Sequence, residues 1–398
     1  MADLTTASHA RYLATKRFGS LDGLRCVAII PVVWHHCTRG PLAGPLGRGP
    51  LGVDLFFAIS GFLITTLLLR ERDATRGIGV GGFYARRALR IFPLYYAVLA
   101  LYVVNAALFM ADAHRAQRDH FFRSLPFFAT YTTNWFVDFD VPHPVSFSFS
   151  WSLAAEEQFY LVWPWVIAAS GALTHRARRC LLPACIAMLL LGLGQGAAHG
   201  SWITVLPADS LARRMAVSIA SPICMGALCA LLLHAPLGFS AARRVLGAPW
   251  SAPAAFAAVV LSACLDGVPL WLAQALMAVL VASCAVRSDH WIAWLLDAPP
   301  LRWVGTVSYG MYLFHVSLIA GMRRVLPPEM ATPALTFAVV LPATIAAASA
   351  SYVWVERPLL RLRVRFAVGA RGPSSPRRDP SPRPLRSGRG KVAAAPPA

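Results

Sequence analysis

Apolar stretches as long as a lipid bilayer is thick constrain this chain more than any other feature of its sequence. They cover, for example, residues 51–69, 91–110 and 334–355. A helix of about 20 apolar residues crosses the hydrocarbon layer of a membrane. Hydrophobic residues make up 57% of the chain and charged residues only 14%, which a water-soluble core would not require. The sequence therefore predicts an all-α polytopic membrane protein.

Hydropathy predicts about ten transmembrane helices. The first apolar run opens with Asp22 and Arg25 and has no small-residue cleavage pattern, so we expect it to remain as an anchor and not as a removable signal peptide. The ten predicted spans cover residues 21–37, 51–69, 88–110, 155–172, 180–197, 213–234, 250–266, 268–286, 304–321 and 334–355.

The distribution of basic residues predicts the orientation of these spans. With both termini in the cytoplasm, 28 of the 37 Lys and Arg residues lie on the inner side and 9 on the outer side. We therefore expect a cytoplasmic segment at 1–20, a transmembrane domain at 21–358 with an outer connection at about 111–154, and a cytoplasmic tail at 359–398. The outer connection is rich in large apolar residues, which favours a segment folded over the spans.

The net charge of +19 is concentrated at the C-terminal end. Ten of the 37 basic residues fall within 361–398, a segment rich in Pro, Arg, Ser and Gly with little to bury, so we predict disorder there. Arginines beside the last span attract anionic membrane lipids. A nucleic-acid partner is not expected, because no folded module accompanies the charge. A non-catalytic scaffold that recruits partners through this tail is one alternative function.

The first predicted span contains Arg25 and His36, which lie eleven positions apart. Eleven residues complete about three helical turns, so both side chains share one face, separated by a rise of about 16 Å. His35 points about 80° away from that face. The simpler interpretation is a snorkelling arginine at one rim and a hydrogen-bonded histidine at the other.

Two further motifs carry charge at the ends of spans. Asp54 in GVDLFFAISGFLI is predicted at the same end as His36, where a carboxylate can orient an imidazole or cap a helix. Arg87 and Arg90 in FYARRALRIFP are three residues apart, which suits phosphate binding and equally the positive-inside rule.

Polar side chains also occur in two later spans. Ser152, Glu156 and Glu157 in FSWSLAAEEQFYL are candidates for binding acceptor hydroxyls, or favour a helix N-terminus. Secondary candidates in VSYGMYLFHV are Tyr309, Tyr312 and His315, together with His35 of the first span. The eight cysteines form no C-x-x-C pair and the histidines have no zinc spacing, so neither disulfide nor metal is expected.

The order of these motifs resembles the integral-membrane acyltransferase family 3, which includes O-antigen and other glycan O-acetyltransferases. The resemblance runs from Arg17 to Pro358, through LDGLR, GVDLFFAISGFLI, FYARRALRIFP, WSLAAEEQFYL, SYGMYLFH and the terminal ERP. It implies a bacterial cytoplasmic membrane location and acyl-CoA, usually acetyl-CoA, as donor substrate without a bound cofactor. It also implies a carbohydrate or glycolipid acceptor.

The resemblance further assigns roles to residues. It implies that His36 is the essential histidine, that Arg25, Arg87 and Arg90 are required, and that Asp54 belongs to the same site. His36 acts in this hypothesis as the base or as an acyl relay, oriented by Asp54. A transporter or flippase of a sugar or lipid-linked substrate is the main alternative, and a macrolide-type small molecule is an alternative acceptor.

Overall fold

The computed structural model describes residues 2–38, 47–110, 115–138, 147–171, 176–199, 207, 210–327, 330, 332–362 and 366. Within them every regular element is helical. The helices are α1 (Ala2–Ala14), α2 (Gly19–Cys37), α3 (Leu51–Thr75), α4 (Val80–Leu108), α5 (Arg115–Ala129), α6 (Thr133–Phe136), α7 (Ser150–Gly171), α8 (Arg176–His199), α9 (Leu211–Val217), α10 (Ser221–His234), α11 (Pro236–Leu246), α12 (Ser251–Cys264), α13 (Leu270–Val286), α14 (Ala293–Leu296), α15 (Pro299–Val325), α16 (Pro333–Ser351) and α17 (Arg357–Arg361), with a π-helical turn at Tyr352–Glu356 between the last two.

Five of these helices are long and apolar enough to cross a membrane, within the described part of the chain. They are α3, α4, most of α8, α15 and α16 with its π-helical and α17 extension. Two bent pairs raise the number to at most seven: α9 with α10, bent by 52°, and α11 with α12, bent by 75°. The all-helical membrane architecture is thus confirmed, whereas ten spans and cytoplasmic termini stay predictions.

The remaining predicted spans coincide with helices that are too short or too polar to pass the same test. α13 has 17 residues. α2 and α7 are long enough, with 19 and 22 residues, but they carry the ionisable side chains of the candidate site. These ionisable side chains lower the hydropathy of α2 and α7. Inside a membrane such side chains face the interior of the helix bundle.

Glycines bring the central helices into close contact. A β-carbon at Gly23 of α2 would collide with the carbonyl oxygen of Leu296, and one at Gly305 of α15 would collide with that of Asp22. Gly61 of α3 meets the backbone of α10 in the same way. Small residues at helix crossings allow this backbone approach inside membranes. The contacts hold α2 between α3 and α15, the arrangement on which the site is built.

The connection between α4 and α7 packs against the bundle in its described parts. Phe128 of α5 and Phe147 are fully buried, and their rings lie 5.1 Å apart. The hydroxyl of Tyr95 in α4 donates to the carbonyl of Phe128 at 2.7 Å. Aromatic residues of the connection thus form one core with α4.

Most of the predicted disordered tail at 359–398 lies outside the described residues.

α1 docks against the end of the bundle that contains Arg25, here called the Arg25 end; the opposite end is the His36 end. Tyr12 of α1 is buried against Phe239 of α11, with ring centroids 5.4 Å apart. Arg70 of α3 donates to the carbonyls of Tyr12, at 2.7 Å, and Thr15. These bonds fix the segment that leads from α1 into α2.

Candidate active site

A cavity of about 730 Å3 opens at the Arg25 end, between α2, α3 and α4. Its wall is strongly basic: seven of the described lining residues are cationic and two are acidic. The two acids are paired, since Arg17 meets Asp22 at 2.7 Å and Arg86 meets Glu71 at 2.9 Å. The cavity therefore has a net positive charge suited to phosphate groups. The seven cations are Lys16, Arg17, Arg25, Arg70, Arg86, Arg87 and Arg90.

A smaller cavity of about 90 Å3 lies directly behind the basic one. The two cavities share four wall residues, and the smaller one continues along α7 and α15. It brings together eight residues that the sequence predicted from four separate helices. They are Arg25 of α2, Arg87 and Arg90 of α4, Ser152, Glu156 and Glu157 of α7, and Tyr309 and Tyr312 of α15.

Specific contacts fix the charged side chains of this cavity. The guanidinium of Arg87 lies over the Tyr160 ring, 4.2 Å from its centroid, and the Tyr160 hydroxyl donates to Glu156. Arg90 interacts electrostatically with Glu356 of the π-helical turn. Tyr160 was not among the residues selected from the sequence, and Glu356 was selected only as part of the terminal ERP motif, without a role in the site. The spacing of Tyr160 four residues after Glu156 on one helix was the signal for the first of them.

His36 is half-buried near the end of α2, and its ring is oriented by the backbone. Nδ1 donates to the carbonyl of Val32 at 2.9 Å, so in the neutral ring Nε2 carries the lone pair. His315 of α15 is fully buried and repeats this arrangement, with Nδ1 donating to the carbonyl of Tyr312 at 2.6 Å. The two rings meet edge to face, with centroids 4.7 Å apart.

A pair of hydroxyls connects this histidine pair to the small cavity. The oxygens of Tyr312 and Ser152, both cavity-lining, lie 2.6 Å apart. Both also reach the carbonyl of Phe149, at 2.9 Å and 3.2 Å. The Phe149 ring lies 5.7 Å from the His315 ring. The hydroxyl pair is thus linked to His315 through the Phe149 ring and the Tyr312 backbone, and His315 Nε2 has no hydrogen-bond partner among the described residues.

Asp54 has a different neighbour from the one expected. It forms a side-chain hydrogen bond with Gln274 of α13, and Gln274 in turn accepts from Gln195 at 3.0 Å. The Val32 carbonyl takes the orienting position that the sequence suggested for Asp54. The His35 ring also contacts that of His36, with centroids 5.3 Å apart. Among the described residues, no three His, Cys, Asp or Glu side chains are placed to hold a metal ion.

Comparison with known sequences identifies the family. The profile of the acyltransferase domain family, acyltransferase family 3, matches residues 18–353. The chain belongs to this family. The predicted resemblance and the prediction of an acyltransferase are thereby confirmed. The family assignment favours an enzyme over the transporter, flippase and scaffold alternatives.

Relatives in this family are named as O-acetyltransferases. The peptidoglycan O-acetyltransferase OatA of Listeria monocytogenes is 27% identical over 361 residues, 85% of this chain and 55% of the relative. The putative peptidoglycan O-acetyltransferase YrhL of Bacillus subtilis is 28% identical over 374 residues, 88% of this chain and 55% of the relative. A putative O-acetyltransferase of Staphylococcus aureus is 37% identical over 179 residues, 44% of this chain and 28% of the relative.

The chain thus spans about half the length of the first two curated relatives it matches. No solved structure matches it.

Proposed function

We propose that this protein is a membrane O-acyltransferase that moves an acetyl group from acyl-CoA to a hydroxyl of a peptidoglycan-type saccharide. One observation carries the proposal. The basic cavity and the small polar cavity share the wall formed by Arg25, Ser60, Arg87 and Arg90, so a site suited to phosphate adjoins a site with carboxyl and hydroxyl groups. A donor with phosphates at one end and a thioester at the other matches this arrangement, with the phosphates in the basic cavity and the thioester in the small cavity.

The basic cavity supports acyl-CoA as donor. The diphosphate and phosphate groups of coenzyme A are anions that arginines bind with paired hydrogen bonds. Acyl-CoA is made in the cytoplasm, and the concentration of basic residues at the Arg25 end agrees with a cytoplasmic position for that end. We accordingly place the protein in a bacterial cytoplasmic membrane, with the thioester reaching past Arg25 into the small cavity.

His36 acts in this proposal as the general base. Its Nε2 accepts the proton of the acceptor hydroxyl while the hydroxyl oxygen forms a bond to the thioester carbonyl carbon. The carbon–sulfur bond then breaks, and the leaving thiolate takes up the proton from the imidazolium. His315 is fully buried and lies against His36, so it can position the His36 ring. An acyl-imidazole intermediate on His36 is the variant of this mechanism in which transfer takes two steps.

The acceptor side is proposed from the relatives and from the polar groups of α7. Glu156 and Glu157 line the small cavity with Ser152, and carboxylates and hydroxyls bind sugar hydroxyls through hydrogen bonds. The two relatives matched over most of this chain are named for peptidoglycan, so a peptidoglycan-type saccharide is the proposed acceptor. A macrolide-type hydroxyl compound is the competing acceptor that the experiment below includes.

The test supplies acetyl-CoA labelled in the acetyl group to membranes that carry the wild type, His36→Ala or His35→Ala. We expect label in saccharides with the wild type and the His35 control, and a loss of at least about 100-fold with His36→Ala. Equal labelling by all three would refute the role of His36. Label from another activated acetyl donor but not from acetyl-CoA would overturn the proposed donor alone. Label in a macrolide added as competitor, and none in saccharide, would overturn the proposed acceptor.

A further inference from the structure

A separate cavity of about 250 Å3 lies near the His36 end, between α4, α5 and α15. None of its lining residues belongs to the two cavities of the candidate active site. Its polar wall combines two carboxamides, two hydroxyls and a guanidinium. They belong to Tyr102 and Asn105 of α4, Gln117 of α5, and Ser317 and Arg324 of α15.

The uncharged polar groups of this cavity suit a ligand with many hydroxyls. Asn105 Oδ1 is buried and has no hydrogen-bond partner among the described residues, which is unfavourable unless a ligand or water donates to it. The Tyr102 hydroxyl lies beside that of Ser317. Phe121, which is buried, and Met110 complete the wall with apolar surface. A sugar ring presents both hydroxyls and an apolar C–H face, and this wall is complementary to both.

Arg324 gives the cavity a positive charge. It is exposed, and it is the one charged side chain among the described lining residues. A guanidinium binds a carboxylate through two parallel hydrogen bonds, so the preferred ligand carries a carboxylate as well as hydroxyls. Ser317 and Arg324 are seven positions apart and therefore share a face of α15, about 10 Å from one another along the axis. This distance suits a disaccharide.

The cavity adjoins the histidine pair. Phe149 contacts both sides: its ring lies 6.3 Å from that of Tyr102 and 5.7 Å from that of His315. Arg323, next to Arg324 on α15, donates to the carbonyl of Cys37 at 2.9 Å, immediately after His36. The cavity and His315 thus share one neighbour, the Phe149 ring.

Gly321 leaves the wall of this cavity open. A β-carbon at this position would have no heavy atom within 4 Å, although the residue lies on a helix, where glycine costs about 0.5–1 kcal/mol relative to alanine. Packing in the protein therefore does not require glycine here. A larger side chain would extend into the free space, which provides a test of occupancy without a collision between helices.

We propose that this cavity is a second subsite, which binds a carboxylate-bearing sugar of the acceptor apart from the α7 side chains proposed to bind the acceptor hydroxyls. The inference rests on the proposed function, because it names the class of acceptor. Its test, however, measures binding without any donor. Absence of acetyl transfer with intact binding would contradict the proposed function and leave the subsite in place.

The experiment uses the full chain in detergent and measures saccharide binding by saturation-transfer NMR. The probes are the disaccharide of N-acetylglucosamine and N-acetylmuramic acid with a free carboxylate, and the same disaccharide with that group converted to a carboxamide. We expect the wild type to bind the acid about tenfold more tightly than the amide, and Arg324→Gln to remove this preference. Gly321→Leu should weaken binding of both probes, and Gly321→Ala should leave it unchanged.

Arg214→Gln is the matched control, since Arg214 is an exposed arginine of α9 away from this cavity. Thermal unfolding of each variant shows that the fold is retained. The inference is overturned if the wild type binds both probes with equal affinity. It is also overturned if Arg324→Gln and Gly321→Leu both bind like the wild type. Displacement of the disaccharide by an equal concentration of phosphatidylglycerol would assign the cavity to a lipid headgroup and also overturn it.

Discussion

The rings of His36 and His315 meet edge to face, with centroids 4.7 Å apart, although the residues belong to helices far apart in the sequence. Each Nδ1 donates to a backbone carbonyl of its own helix, which leaves the lone pair of each neutral ring on Nε2. His315 Nε2 has no hydrogen-bond partner among the described residues, so the contact with the His36 ring is its main polar neighbourhood.

Replacement of His315 tests whether the second imidazole takes part in transfer. We expect His315→Phe, which keeps an aromatic ring in a fully buried position, to lower kcat about 100-fold with little change in the KM for acyl-CoA. Steady-state kinetics on proteoliposomes measure both constants. His35→Phe is the control, since it makes the same substitution in the other ring that contacts His36. If His315→Phe kept the wild-type kcat, His315 would have only a packing role.

Arg87 is predicted to act on donor binding. Its guanidinium lines both cavities and lies over the Tyr160 ring, so Arg87→Gln removes a charge and a stacking contact. We expect the KM for acyl-CoA to rise about tenfold, because one charge-assisted contact to a phosphate is lost at a half-exposed site. The matched control is Arg243→Gln, which removes an arginine from α11, outside both cavities. An equal rise in KM for the two variants would indicate loss of general surface charge.

The sequence predicted much of the site, because its motifs are local and its helices are regular. The spacing of Arg25 and His36 placed them on one helix face, and the structure puts Arg25 at the junction of the two cavities. The partner of Asp54 was not predictable, because the position of α13 against α3 depends on packing between helices far apart in sequence. The contact between His36 and His315 depends on packing in the same way.

The number of spans was harder to predict than the site for a related reason. Hydropathy shows where apolar residues are gathered, but not whether a stretch continues as one straight helix. The amphipathic helix α11 ends at Leu246, and the chain then bends by 75° into α12. The apolar run at 250–266 therefore begins after a change of direction that hydropathy does not show. Polar site residues also lower the hydropathy of α2 and α7, whose membrane placement depends on their neighbours.

Close helix packing predicts a stability effect at Gly305. Alanine at this position would place its β-carbon against the carbonyl oxygen of Asp22, so α2 and α15 would have to separate. We expect Gly305→Ala to lower the free energy of unfolding by about 1–3 kcal/mol, measured by denaturant titration in detergent. Gly321→Ala on the same helix meets open space and should stabilise the protein slightly or leave it unchanged. The opposite order of the two variants would contradict the packing described for α2.

Asp54→Asn distinguishes an orienting carboxylate from a packing contact. Gln274 accepts from Gln195 through its oxygen, so its amide nitrogen is available to donate to Asp54, and an asparagine oxygen can still accept that bond. We therefore expect Asp54→Asn to lose less activity than His36→Ala in the labelled transfer assay. Losses of equal size would indicate that the carboxylate charge itself acts on His36, as the sequence first suggested.

His290, between α13 and α14 and outside the membrane spans, predicts how stability depends on pH. Its Nε2 donates to Ser20 at 3.1 Å, Ser20 donates to Asp297 at 3.2 Å, and Nδ1 is buried without a partner among the described residues. Burial lowers the pKa of His290 below its ordinary value of 6.5, and Arg287 acts in the same direction, whereas Asp297 and Asp289 oppose the shift.

The sign of the effect follows from proton uptake on unfolding. Above pH 6.5 the histidine is neutral in both states, so it contributes no pH dependence. As the pH falls below that value, the unfolded chain binds a proton that the folded protein excludes. Stability therefore declines with acidification, by at most about 1.4 kcal/mol per pH unit, until the lowered pKa is reached.

His290→Gln keeps a donor for Ser20 and removes the titrating ring, so its unfolding free energy should fall less between pH 6.5 and pH 5 than that of the wild type. Denaturant titrations of both proteins across this range measure the difference, and parallel curves would show that another group controls the acid side. Ser20 lies at the start of α2, the helix that carries Arg25 and His36. A loss of acyl transfer over the same pH range in the wild type alone would connect the stability of this contact to the geometry of the site.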